Sequence, residues 1–491
     1  MTSTETPRSV AAFPFDEEFC AAKARKRVLF AAILASALGF IDGTIVAIAM
    51  PAIRDGLDAT LTQAQWINNA YMLPLAALIL AGGALGDRFG LARVFTFGIG
   101  LFIAASLISA LAPTAEILIA ARALKGMGAA MMVPGSLALI YRAYPTDQRG
   151  QAIGIWASAS AMTTALGPVL GGIFITLAGP ETWRWLFAIN LPLGLLAIWA
   201  LRGAVNEDRS DPDKGVDITG AVLATAGLGL AAWVLTGLTE ADGGPDPVLF
   251  GGLAVVLIAA FLVWERVSAH PMMPLSLFAD RSFSAANLAT FCLYFALSAV
   301  LFFLPMTVIS GWGVSEAEAS AAFIPLTVAI TLLSTLSGRW ADRYGPGRLI
   351  GAGAAVVAVA YAGLALGAGL QDYWRVVIPL MCVMGLGMAL VVAPLSAAVM
   401  GAVPDAQSGA ASGINNAVSR IAGLVAVAVM GGVAVQAYAA AGGAGSFGAL
   451  SDTPGHAAAS NAAFARIAWI TAAMSAISAV IAFLGIRRRT P

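Results

Sequence analysis

The amino-acid sequence predicts an all-α integral membrane protein of fourteen transmembrane helices, and three observations predict it. Of 491 residues, 59% are hydrophobic and only 11% charged, with a mean hydropathy of +0.85, whereas soluble domains carry roughly a quarter charged residues. Apolar runs long enough to span a bilayer recur fourteen times. Lysine and arginine gather in alternate loops, as spans of alternating direction require.

The runs lie at residues 28–50, 63–85, 93–112, 115–139, 150–178, 183–201, 217–238, 247–266, 283–304, 318–340, 347–369, 374–400, 409–437 and 461–486. An even count puts both termini on one side. With the N-terminus placed inside, 20 of the 27 Lys and Arg residues fall in inside segments, from Arg8 and Lys23 through Arg88, Arg142, Arg209, Lys214 and Arg343 to Arg487, Arg488 and Arg489. Arg54, Arg184, Arg375 and Arg466 fall outside, and Arg122, Lys125 and Arg420 fall within helices. A multi-pass membrane protein with both termini cytoplasmic is therefore expected. Lys23 to Arg27 before an apolar run could open a signal peptide with Ala35-Ser36-Ala37 as its cleavage site. That run continues to Met50, the length of a full span, so residues 1–27 read as a cytoplasmic tail leading into the first helix.

A formal net charge of zero excludes a strongly basic nucleic-acid binder. A membrane enzyme would need a catalytic constellation. The only histidines, His270 and His456, read as loop residues, and no GxSxG, HExxH or metal-spaced cysteine set occurs, so no catalytic residue, metal or cofactor is expected. Cys20, Cys292 and Cys382 are too scattered for a disulfide framework and read as packing residues. A sensor would carry a sizeable soluble domain, which this chain lacks.

An internal repeat organises the chain. Gly83 to Arg93 (GALGDRFGLAR) aligns with Gly338 to Arg348 (GRWADRYGPGR), at the inner ends of the second and tenth helices. Two copies of a six-helix unit would place the repeat at the second and eighth, so the seventh and eighth helices read as an insertion: a 6+2+6 arrangement. The expected boundaries are a six-helix bundle over 28–201, a linker with two extra helices over 202–282, and a second six-helix bundle over 283–491. In the repeated loop Asp87 and Asp342 precede Arg88 and Arg343, and Gly90 and Gly345 turn the chain. Such charged turns can lock two bundles together in one state and release in another.

The chemistry centres on Asp42, which lies within the first apolar run, while the other Asp and Glu residues fall in tails, loops or at run ends. A carboxylate inside a bilayer costs a few kcal/mol, so its default reading is as a proton carrier or the partner of a buried cation. Arg122 of the fourth helix lies roughly 10 Å below the outer surface and Asp42 roughly 13 Å, at 1.5 Å per residue, so the two charges are level. Lys125 follows Arg122 by three positions and shares its face. An ion pair that only fixes the first and fourth helices together is the bland alternative. In the fifth helix Thr163, Gly167 and Gly171 form a four-residue ladder around Pro168, a face suited to close packing and bending.

These segments resemble the drug:proton antiporters of the major facilitator superfamily, in their fourteen-helix branch, over nearly the whole helical region. The family's gating pattern GxLaDRxG is matched by Gly83, Leu85, Asp87, Arg88 and Gly90, with Leu91-Ala92 where a basic pair is usual. Its first-helix pattern LDxTvvnvALP is matched by Asp42, Thr44, Ala49 and Pro51, with Ala47 where Asn is usual. The fourth-helix pattern RxxqGxgaA is matched by Arg122, Gly126, Gly128 and Ala130, with Lys125 replacing Gln. The antiporter pattern of the fifth helix is similar to Gly154, Gly167, Pro168, Gly171 and Gly172, with Thr163 for its middle glycine. Trp183 to Pro192 (WRWLFAINLP) also looks like the family's lead into the sixth helix.

The resemblance implies proton-driven export of small amphipathic or antibiotic-like molecules, by alternating access of two bundles about a central cavity, with the lipid bilayer, protons and the substrate as partners and a monomer sufficient. Asp42 would take a proton from the outer side and release it inside, Arg122 favouring the charged form in one state and separating from it in the other. Trp66, Asn69, Tyr71, Tyr294, Phe295 and Met388 are expected cavity contacts by helix analogy and polarity. Lys125, set in the same cavity, would turn preference from permanent cations toward neutral or anionic compounds. Import of a small polar or anionic nutrient on the same scaffold is the alternative function.

Overall fold

The computed structural model describes residues 19–206, 208, 210, 211, 215–237, 244, 246–404, 407–451 and 453–486. Among them fourteen helices are long and apolar enough to cross a membrane. They are α1 (Ala22–Leu57), α2 (Leu61–Phe89), α3 (Leu91–Leu111), α4 (Ala115–Ala143), α5 (Asp147–Ala178), α6 (Pro180–Leu201), α7 (Ile218–Gly237) and α8 (Pro247–Val267). There follow α9 (Arg281–Trp312), α10 (Glu316–Tyr344), α11 (Pro346–Leu370), α12 (Tyr373–Gly401), α13 (Ser408–Ala440) and α14 (His456–Gly485). Residues 1–18 of the expected tail, with Arg8, and Arg209, Lys214, Arg487, Arg488 and Arg489 lie outside the described residues.

Several helices outrun their apolar cores. The first was expected to end near Pro51, but α1 continues to Leu57 and stops at Asp58, whose left-handed backbone (φ 48°) breaks the ladder. Proline removes one hydrogen bond from the helix, a loss tolerated where neighbours pack around it, and Pro51 is buried. α9 likewise runs through Pro305 to Trp312. Helix starts follow local capping chemistry: Thr60 and Gln63 form a reciprocal box at α2, and Asp280 accepts from the Phe283 amide at α9.

Packing groups the helices. In the first half α4 runs along α2 and α3, and α1 touches α4, α5 and α6. Glycine permits the closeness: a Cβ on Gly128 would lie 2.9 Å from the Phe102 amide nitrogen, and one on Gly126 3.2 Å from the Tyr71 carbonyl carbon. In the second half α14 is flanked by α9 and α11, α12 lies against α10 and α11, and α13 joins α9 and α14. α7 and α8 pack on each other, and α7 leans on α2 and α13. Between α2 and α7 is an apolar groove of about 460 Å³ that includes Leu78, Leu85, Ile218 and Val222.

The halves meet unequally at their two ends. At the end carrying Arg54, α5 packs on α10, and α1 on α9. At the end carrying Asp87, α4 has no substantial contact with the second half, and Gln151, Gly154, Ile155, Ala157 and Ser158 are exposed around several faces of α5. The contacts of α1 and α5 with the second half thus gather at the Arg54 end.

Candidate functional site

At the centre of the first half, Asp42 is wholly buried, and its carboxylate oxygens receive Arg122 Nη1 and Lys125 Nζ. Both cations are held by more than the carboxylate. Arg122 Nε donates to the Ile67 carbonyl at 2.9 Å, and its guanidinium stacks over the Tyr71 ring at 4.5 Å. The Lys125 ammonium lies 4.8 Å from the ring centres of both Phe102 and Phe187. One carboxylate faces two cations in an apolar interior, a group of net charge +1.

Lys125 was expected at the substrate cavity. It is instead 0% exposed, inside the first half between rings from α3 and α6. The three-residue spacing does place it beside Arg122, but that shared side turns inward to α1 rather than toward the second half. Among the other expected cavity contacts, Met388 is 1% exposed and belongs to the core of the second half, and Phe295 is buried beside Phe291. Tyr71 is buried under Arg122, its hydroxyl 3.4 Å from the Gly39 carbonyl. Asn69 is buried with its Nδ2 unpartnered, while Trp66 and Tyr294 are half-buried.

The repeated loops share a backbone. Gly90 (φ 102°) and Gly345 (φ 91°) both turn the chain in a region that L side chains avoid, and Arg88 and Arg343 each stack over the next residue, Phe89 and Tyr344. Their surroundings differ. Asp87 faces Arg142 of α4 at 3.9 Å, whereas Asp342 and Arg343 are exposed. Gly83 has open space where a Cβ would go, and Gly82 beside it closes on the α4 backbone. A contact that the sequence did not signal completes the first loop: Asp208, from the chain between α6 and α7, accepts from the amides of Ala92 (3.1 Å) and Arg93 (2.9 Å). It caps α3, and the Asp211 amide donates to the Asp87 carbonyl at 3.1 Å.

The motif glycines of α5 divide by direction. A Cβ on Gly167 would lie 3.0 Å from Thr44 Oγ1, and Gly171 abuts Ile45, so both seat α5 on α1 around Asp42. Gly172 faces the other half, where a Cβ would lie 3.0 Å from Ser320 Cβ of α10. Pro168 is buried between them, and Gly154 is exposed with open space around it. Thr176 continues the crossing, accepting from the Ala317 amide at 2.9 Å.

Two further links between the halves went unread in the sequence. Arg54, counted only as an outside charge, is buried and donates to the Phe447 carbonyl (2.6 Å) and Ser446 Oγ (3.0 Å) of the α13–α14 loop. Gln65 is buried and donates to the Val427 carbonyl of α13 at 2.5 Å. Both partners are backbone or loop groups without a sequence pattern.

Comparison with known proteins sets this geometry in context. The sequence profile of the Major Facilitator Superfamily matches residues 32–427 and 286–491. The tetracenomycin C resistance and export protein of Streptomyces glaucescens is 31% identical over 413 residues, covering 81% of this chain and 74% of that one. The lincomycin resistance protein of Streptomyces lincolnensis is 34% identical over 419 residues, covering 83% and 85%. Among solved structures, a bacterial homologue of the human lysosomal transporter Spinster, inward-facing and unoccupied, superposes with a TM-score of 0.65 at 18% identity, over 95% of this chain and 97% of that one.

Proposed function

The chain belongs to the Major Facilitator Superfamily, and from that premise we propose that it exports small amphipathic or antibiotic-like molecules across the inner membrane in exchange for protons, by alternating access. It is a multi-pass membrane protein of a transporter family whose members act on small molecules. The reading divides it 6+2+6, with bundles over 28–201 and 283–491, the two extra helices within 202–282, both termini cytoplasmic, and a monomer as the working unit. On that orientation the Arg54 end is periplasmic.

The observation that carries the proposal is the wholly buried group of Asp42, Arg122 and Lys125. A carboxylate held by two cations is stable charged. It is ready to take a proton only in a state that pulls the cations away, which ties protonation to conformation. The repeated loops, with Gly83, Asp87, Arg88 and Gly90 in one copy and Asp342, Arg343 and Gly345 in the other, act as gates at the cytoplasmic end. Gly154, Gly167, Pro168, Gly171 and Gly172 let α5 move between states.

The test is expression in a bacterial strain stripped of its own exporters, with a susceptibility screen and substrate-induced proton release from everted vesicles. The expected result is raised resistance to at least one antibiotic and a proton flux on adding that compound. Resistance without any proton flux would overturn the coupling, and accumulation in place of expulsion would overturn the direction.

A further inference from the structure

Every cation in the core of the first half is paired, but one near the centre of the second is not. Arg420 lies twelve residues from the start of the 33-residue helix α13, about 18 Å along it. Among the described residues it makes no ion pair or hydrogen bond, and its Nε is buried without a partner. An unpaired cation at such a depth within a spanning helix is costly, so a role is its default reading.

The packing shows where the group stands. Gly413, Arg420, Val427 and Gly431 share one face of α13, and that face lies on α2. A Cβ on Gly413 would lie 2.6 Å from Leu80 Cδ2, the Val427 carbonyl accepts from Gln65, and Gly431 leaves room for the Gln65 side chain. The helices run antiparallel, so Arg420, between these contacts, is level with the stretch of α2 from Tyr71 to Pro74. The guanidinium therefore stands at the seam where α13 of the second half meets α2 of the first.

We propose that Arg420 is a substrate-binding residue that anchors an acidic oxygen, a carboxylate or phenolate, on the exported molecule; this rests on the export reading above. The group around Asp42 leaves one net positive charge and Arg420 adds a second. A permanent cation meets repulsion, while an amphipathic anion finds the four N–H donors of the two Nη atoms, none of them in use. Lys125, sealed behind Phe102 and Phe187, does not make this selection.

The experiment uses the full-length protein in proteoliposomes under an imposed pH gradient, with three probes: the weak-acid dye fluorescein, neutral chloramphenicol and the cation tetraphenylphosphonium. The expected result is transport of fluorescein by the native protein, a rise in KM of about tenfold or more in Arg420→Gln, the weight of one charge-assisted hydrogen bond, and partial recovery in Arg420→Lys. Tetraphenylphosphonium transport should rise in Arg420→Gln. A symmetric size-exclusion peak and retained chloramphenicol transport show that each variant is folded. Fluorescein transport with an unchanged KM in Arg420→Gln, or native transport of the cation but not of fluorescein, would overturn the inference and leave the export reading standing. Movement of none of the three probes would remove that reading and the inference with it.

Discussion

Replacing Asp42 by Asn should damage coupling and stability together, and the structure says how to separate them. The native group holds Asp42, Arg122 and Lys125 at net +1 with all three side chains buried. The Asn variant raises this to +2 and leaves two cations without a counter-charge. Breaking a buried pair in this way costs about 3–5 kcal/mol. The double variant Asp42→Asn/Lys125→Met restores net +1, because only Arg122 remains charged, and it keeps its bond to Ile67 and its stack on Tyr71. Methionine fills the slot between Phe102 and Phe187 at similar length, losing two cation–π contacts of about 0.5–2 kcal/mol each.

The double variant should therefore regain about half of the lost stability and none of the proton-coupled transport. Denaturation midpoints in detergent measure the first, and substrate-driven proton flux in proteoliposomes the second. Full coupled transport by Asp42→Asn would refute the assignment of the proton carrier. A single variant as stable as the native protein, or a double variant less stable than the single, would refute the electrostatic reasoning.

Three other outcomes follow from particular contacts. Asp87→Asn should slow transport severalfold with substrate KM nearly unchanged, since Asp87 lies in the last turn of α2, facing Arg142 and far from the group around Asp42; purified protein in a binding and a transport assay checks it. Gly172→Val should disfavour closure at the Arg54 end by about 1–3 kcal/mol, because the new side chain meets α10, and faster alkylation of a cysteine placed at Thr176 would report it. Arg54→Ala should open the same end by removing two charged hydrogen bonds of about 1.5–3 kcal/mol each, and an unchanged alkylation rate at Thr176 in that background would count against the latch.

What could be read from the sequence was what a single helix or loop carries in its own chemistry. Apolar length is local, so the spans were legible, and so was the repeated loop, because Gly90 and Gly345 answer the same backbone demand for positive φ. Asp42 and Arg122 could be matched because each had only its depth along a helix to declare. The direction in which a face points is not local. Lys125 and Arg420 are both cations within apolar helices, and nothing in their own neighbourhoods distinguishes the one sealed by Phe102 and Phe187 from the one standing between the halves. That difference arises from α6 folding back over α3 and α1, and from the antiparallel run of α13 along α2. The Arg54 and Asp208 contacts were illegible for a related reason, since their partners are backbone groups, which every residue possesses.

The geometry of α5 links the turn of α1 that carries Asp42 to the seam between the halves. Gly167 and Gly171 set this helix against Ile41, Thr44 and Ile45, the residues on either side of Asp42. The very next residue, Gly172, sets it against Glu316 and Ser320 of the opposite half. Glycine makes both contacts backbone-close, so α5 cannot leave α10 at the Arg54 end without sliding on the turn of α1 that carries the carboxylate. Asp42 is in turn fixed to α4 through Arg122 and Lys125, and α4 itself touches no part of the second half substantially. A change in the charge of Asp42 thus reaches the other half through α5, beside the direct contacts of α1 with α9 and of α2 with α13. Conversely, the contacts at the Arg54 end hold α1 where both cations reach the carboxylate.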